Sequence, residues 1–148
     1  MALISRYTTL PLDDLHVVLN RTVGDFPMRE VLSRWQKQVL ELPARVNYAI
    51  INDLIDWSGV ISEDDVYGIT AWSSRFRAEN NFPDARLGRL VWIGRPGAGL
   101  NLLTDMFNNI RPEQAYYTSS AAEAWRLVMP DVAMPPVAKK FFRRGLIF

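Results

Sequence analysis

"YAIINDLIDWSGVISEDDVYG", residues 48–68, is the stretch that decides the fold. It opens as an apolar run, Ala49 to Ile51 and then Leu54 and Ile55, and reads as a central strand within 48–57, buried on both faces. Ser58 and Gly59 break the run. Ser62 then precedes Glu63, Asp64 and Asp65, a capping serine followed by an acidic first turn. The spacing of Val66, Ile69, Trp72 or Ser73, and Phe76 predicts a helix over residues 63–77. A buried strand leading into an amphipathic helix is the repeating unit of a parallel α/β sheet.

The flanks continue the alternation. Upstream, "SRYTTL" (5–10) and "HVVLNRTVG" (16–24) read as a hairpin, with Pro11, Asp13 and Asp14 in the turn. "DFPMREVLSRWQKQVLEL" (25–42) is the clearest helix, with Met28, Val31, Leu32, Trp35, Val39 and Leu42 on one face. Asp25 or Phe26 should cap it, and Pro43 should end it. Downstream, "RLGRLVWIG" (86–94) reads as a strand. "LNLLTDMFNNI" (100–110) reads as a helix with Leu102, Leu103, Met106, Phe107 and Ile110 inward. "EQAYYTS" (113–119) is the last strand, and "SAAEAWRLV" (120–128) is a helix in which Ser120 and Glu123 form a capping-box pattern. The order β-β-α-β-α-β-α-β-α predicts one α/β domain over 1–130, a mixed sheet with helices packed on it. Residues 131–148 break the pattern with prolines and a basic-aromatic run, and are read as a C-terminal arm.

A chain of 148 residues favours a single core. A net charge of +1 supplies no field that would draw it to nucleic acid. The absence of cysteine excludes disulfides, thiolate metal sites and a cysteine nucleophile. No apolar run approaches the roughly 18 residues of a membrane span, and no signal segment is evident, so a cytoplasmic location is expected.

Three segments carry a family resemblance. "YAIINDLIDWSGV" resembles the central strand, ending near an aspartate, of the STAS domain. "GRLVWIG" resembles its following strand, and "AYYTSSAAEAWRLV" its closing strand and capped helix. Over residues 6–130 the chain resembles the SpoIIAA-like (STAS/SEC14-like) proteins, mostly uncharacterised and bacterial. The resemblance implies a protein-interaction module, and in some branches a phosphorylatable switch or a lipid carrier. The switch motif of that family, an Asp-Ser/Thr-x-Gly-like turn with its hydroxyl at the start of the helix after the central strand, is degraded here. Ser58-Gly59 stands too early for a good helical start, and Ser62 is followed by acidic residues that would repel a phosphate.

Each candidate site has a structural alternative. Ser58 and Ser62 are candidate phospho-acceptors, or simply a turn and a helix cap. Gly94, Arg95, Gly97 and Gly99 in "GRPGAGLN" could cradle an anion, or merely form a tight connection; neither the dinucleotide nor the P-loop pattern is present. Trp57, Trp72, Trp92 and Phe107 could line an apolar pocket, or fill a core. Phe141, Phe142, Arg143, Arg144 and Phe148 could form an interface arm that folds back, crosses to a second copy or touches an anionic membrane. His16, the lone histidine, has no evident catalytic partner. The expectation is a non-enzymatic binding module without cofactor or metal, self-associating or binding a protein partner. Carriage of a small apolar or lipid-like ligand and a phospho-regulated switch are the alternatives.

Overall fold

Five strands form one sheet in sequence order: β1 (Arg6–Leu12), β2 (Val17–Val23), β3 (Ala49–Asp53), β4 (Leu90–Ile93) and β5 (Ala115–Thr118). The computed structural model describes residues 6–83, 88–97 and 99–143. β1 and β2 are antiparallel, and β2 to β5 run parallel. The helices are α1 (Met28–Glu41), α2 (Glu63–Asn80), α3 (Leu100–Ile110), α4 (Ala121–Val128) and α5 (Pro136–Phe142), with a 3-10 segment at Pro43–Asn47. This is the predicted alternation with one further helix at its end. Among the described residues no helix is long and apolar enough to cross a membrane.

A parallel sheet whose strands advance in one direction through right-handed crossovers places every crossover helix on the same face. The first core therefore joins Met28 and Leu32 of α1, Val66 and Ile69 of α2, and Leu103 and Phe107 of α3 to Leu90 and Trp92 of the sheet. The inner faces differ in detail from the predicted ones. In α3 the i, i+3, i+7 set Leu100, Leu103 and Phe107 is buried, leaving Leu102 54% and Ile110 36% exposed. In α2 the stripe continues one turn past Ser73 to bury Arg77. α1 begins on Pro27 with no side-chain cap, so neither Asp25 nor Phe26 plays that role.

The first face also holds a polar layer. Asn52 Oδ1 accepts from Asn20 Nδ2 at 3.3 Å, and Asn20 Oδ1 accepts from Gln38 Nε2 at 3.2 Å. The same Gln38 amide reaches Thr9 Oγ1. α1 is thereby tied to three neighbouring strands. Burial pushes the Tyr7 phenol well above its ordinary range, against the opposing influence of Arg34 and Gln38.

The second face, Val17, Leu19, Ile51, Val91 and Ile93, is covered by α4 and α5. Trp125 of α4 and Ala138 and Phe142 of α5 are buried on it. The ring of Phe141 meets that of Phe142 edge-on at 5.3 Å, and the Arg21 guanidinium lies 5.9 Å from the Phe141 centroid. The segment expected as an arm thus folds back, through Arg143, onto the core of its own chain, where it shares the cover of this sheet face with α4. α5 shares its core with the strands. Arg144 and Phe148 lie outside the described residues. Replacing Phe142 by Ala is expected to cost about 3 kcal/mol of stability in urea unfolding; a change under about 0.5 kcal/mol, the range of ordinary surface substitutions, would show that α5 does not close this core.

Candidate functional site

The carboxyl ends of the parallel strands are where α/β sheets place their ligand and partner sites. Here β3 runs out at Asp53, and the chain doubles back against the loop after β2. Gly24 donates its amide to Asp56 O (2.9 Å) and accepts from the Ser58 amide (2.8 Å), while Trp57 Nε1 donates to Phe26 O (2.8 Å). A Cβ at Gly59 would stand 2.4 Å from Phe26 O and 2.5 Å from the Trp57 ring, so only glycine fits. Trp57 is accordingly a latch between two loops.

Ser58 is exposed in this loop, five residues before the first residue of α2. Ser62 is the N-cap: its Oγ accepts from the Asp65 amide at 3.3 Å. Glu63, Asp64 and Asp65 fill the first turn, where the helix dipole favours negative charge. Tyr67 bonds the Glu63 carboxylate, which holds its phenol above the ordinary value. Beside this loop, Ile61 reaches to 3.5 Å from where a Cβ on Gly99 would stand.

The glycine loop after β4 leads into α3. Gly97 and Gly99 have φ of 82° and 79°, the left-handed region. The Gly94 amide is spent on Thr118 O (3.1 Å), and Arg95 turns across to Asp56 at 3.3 Å. Gly94 also lies against Leu100, where a Cβ would meet Cδ1 at 2.1 Å. The loop residues hold the strand-to-helix connection together and tie it to the neighbouring loop. Three apolar side chains stand exposed on the elements around this edge: Val60 (79%), Leu102 (54%) and Tyr67 (45%).

Of the residues expected to line a pocket, Trp92 and Phe107 line one cavity, while Trp57 and Trp72 do not. Trp72 packs edge-on to Trp35 at 5.9 Å and stacks on Phe76 at 5.1 Å. The cavity, about 60 Å³, lies between the first sheet face and α1, α2 and α3, toward the amino ends of the strands. Its walls include Trp35, Asn52, Ser73, Arg77, Arg111 and Gln114. Arg77, only 4% exposed, donates to Asn47 Oδ1 (2.7 Å), Val46 O (2.7 Å) and Ser73 Oγ (3.3 Å). Sequence reasoning missed Arg77 and Arg111 as wall residues; the continued i+4 step from Ser73 to Arg77 was the available signal.

At the opposite edge, the lone His16 sits at φ 56° in the hairpin turn and stacks on Tyr48 at 5.1 Å. Arg45 grips Asp13 with two contacts of 3.1 Å. This bond holds the Asp13 carboxyl below its usual value, whereas burial and then the bond to Asp13 raise the Tyr48 phenol. Among the described residues no cluster of three or more His, Asp or Glu side chains could hold a metal ion.

The whole arrangement can be superposed on a known structure. An uncharacterised protein of the DUF3478 family from Shewanella loihica PV-4, with a SpoIIAA-like fold, aligns with a TM-score of 0.53 over 86% of this chain and 98% of its own. This chain has the SpoIIAA-like fold. At 12% identity the likeness extends to the fold alone. No protein-family model matches the sequence, and no curated protein matches it. Within the SpoIIAA-like fold, Ser62 is the residue at the helix start after the central strand.

Two outcomes test this geometry. Ser62→Ala should cost about 1 kcal/mol through the lost cap, while Ser58→Ala should stay within about 0.5 kcal/mol of wild type, both read from chemical unfolding. Equal costs would refute the assignment of the cap. The Asp13 carboxyl, lowered in the folded state, adds stability above its ordinary value of 3.8 that disappears as pH falls through its lower folded value. The melting-temperature difference between wild type and Asp13→Asn should therefore be present at neutral pH and close below about pH 4. A difference that persists into strong acid would contradict an ionic contribution.

Proposed function

We propose that this chain is a non-enzymatic interaction module that meets a protein surface through the carboxyl edge of its sheet, a second copy of itself in the isolated state. The observation that carries the reading is the exposure of Val60 at 79%, with Leu102 and Tyr67 on the adjoining helices and an acidic turn beside them. Apolar side chains set among charged ones, on a loop fixed by backbone bonds, are what a preorganised protein interface requires.

The geometry supports the competing readings less well. A lipid carrier needs an enclosed pocket of roughly 300–1,000 Å³; the cavity beneath α1, α2 and α3 holds about 60 Å³, and the wider space of about 610 Å³ beside α4 and α5 is an open groove. A phospho-switch at Ser62 would have to give up a cap bond and place a dianion beside three carboxylates. The lone histidine and the acidic turn lie at opposite edges of the sheet, which does not favour acid–base catalysis.

Light scattering after size exclusion tests the proposal. The full chain should dimerise with rising concentration, and Val60→Asp or Leu102→Lys should return it to monomer without changing its unfolding midpoint. A wild type that stays monomeric at every concentration overturns the self-association, and a dimer indifferent to both substitutions overturns the choice of edge.

A further inference from the structure

We propose that the carboxyl edge of one copy seats in the groove beside α4 and α5 of a second copy; this names the surface that the proposed self-association uses, and it rests on that reading. The simplest dimer, edge against edge, is opposed by charge. It would set two acidic turns face to face, each with Glu63 and Asp64 exposed and Asp65 half-buried. Like charges brought together across an interface weaken it. The surface that meets Val60 and this turn should instead be apolar and basic.

The second sheet face carries such a surface. α4, α5 and the segment between them leave an open groove of about 610 Å³. Its floor includes the buried Trp125 and Phe142 and the half-buried Met129. Arg126, Lys139 and Arg143 line it as exposed side chains, against the single carboxylate of Asp131. Among the described residues no ion pair joins these three cations to a carboxylate. An apolar floor with a cationic rim complements Val60, 79% exposed, beside Glu63 and Asp64.

The placement allows the contact to be reciprocal. Ala121 of the groove follows directly on the carboxyl end of β5. Phe142 adjoins Phe141, whose ring faces Arg21, and Arg21 is level with Asp53 at the carboxyl end of β3. The groove therefore reaches the same edge of the sheet as the Val60 loop, on the face opposite α2. A two-fold axis at that edge lets each copy give its loop and receive its partner's, and the assembly closes at two.

Charge exchange in the full chain tests the contact by light scattering after size exclusion. Arg126→Glu with Lys139→Glu makes the groove acidic, and Glu63→Lys with Asp64→Lys makes the edge basic. Each double variant alone should dimerise at least about tenfold more weakly than wild type at low salt, because exposed attractions become repulsions. Mixed in equal amounts, the two should associate as wild type does, since acidic edge then meets basic groove and basic edge meets acidic groove. All four substitutions in one chain should likewise restore the homodimer; a chain that merely misfolds would not be rescued in either way. The lost affinity should also return less completely as salt screens the charges. A wild type that stays monomeric overturns the self-association itself and this contact with it. A dimer that Val60→Asp breaks but the acidic groove leaves intact keeps the edge and overturns the groove, which is then open to some other partner. Failure of both the mixture and the four-substitution chain to associate overturns the pairing of edge with groove.

Discussion

The structure depends on the one-way advance of its strands. β2, β3, β4 and β5 lie side by side in chain order, so right-handed connections send α1, α2 and α3 to a single face. A parallel sheet is stable only with both faces covered. Whatever follows β5 must therefore cross to the other side. Val17, Leu19, Ile51, Val91 and Ile93 wait there, each at most 1% exposed once α4 and α5 have arrived. Fully burying one such side chain is worth about 1.5–3 kcal/mol. That sum, not the weak helical preference of a seven-residue segment, explains why Pro136–Phe142 is ordered as α5.

The first face is built on different terms. It mixes apolar packing with the Asn20–Asn52–Gln38 layer, and register gives that layer its shape. Asn20 lies opposite Asn52, which lies opposite Trp92, so one row across the sheet carries two amides and an indole. A slip of one residue in any strand would turn this row to the second face, among apolar side chains with no partners. The polar row therefore fixes the pairing, at the cost of leaving Gln38 Oε1 and the Trp92 N–H without protein partners.

Much of this was legible in the sequence because it rests on local signals. The Ser62 and Ser120 caps, the buried run of β3 and the helical stripe of α1 each follow from residues within a turn or two of one another. What was not legible depends on the strand order. Phe142 looks like an exposed arm residue until the bare sheet face above it is known. Leu102 looks inward until Gly99, at φ 79°, starts α3 in a phase that buries Leu100 instead. The cavity was least legible of all, since its walls come from segments far apart in the chain. Trp92 and Phe107 were anticipated, and helical spacing pointed Trp35 and Arg77 inward, but no local pattern brings them together with Arg111 around one space.

The two edges of the sheet consequently bear different constraints. At the carboxyl edge the backbone of Asp56 and Ser58 is bonded to Gly24, the Trp57 indole to Phe26, and the Ser62 hydroxyl to the start of α2. Polar groups committed in this way are not free to rearrange around a modification or an ion, because each would have to give up a bond worth about 1 kcal/mol. Such an edge presents one fixed surface, which suits the interaction proposed for it better than a switch does. Toward the amino edge, donors and cationic groups surround a space that the protein's own atoms do not fill. The asymmetry follows from chain geometry. The loops leaving the carboxyl ends of β2 and β3 lie side by side and bond to each other, whereas α1, α2 and α3 end around the other edge on side chains of unequal size. Arg77 and Arg111 stand near those ends, and with Trp35 from the middle of α1 they wall a gap that these long and planar side chains leave.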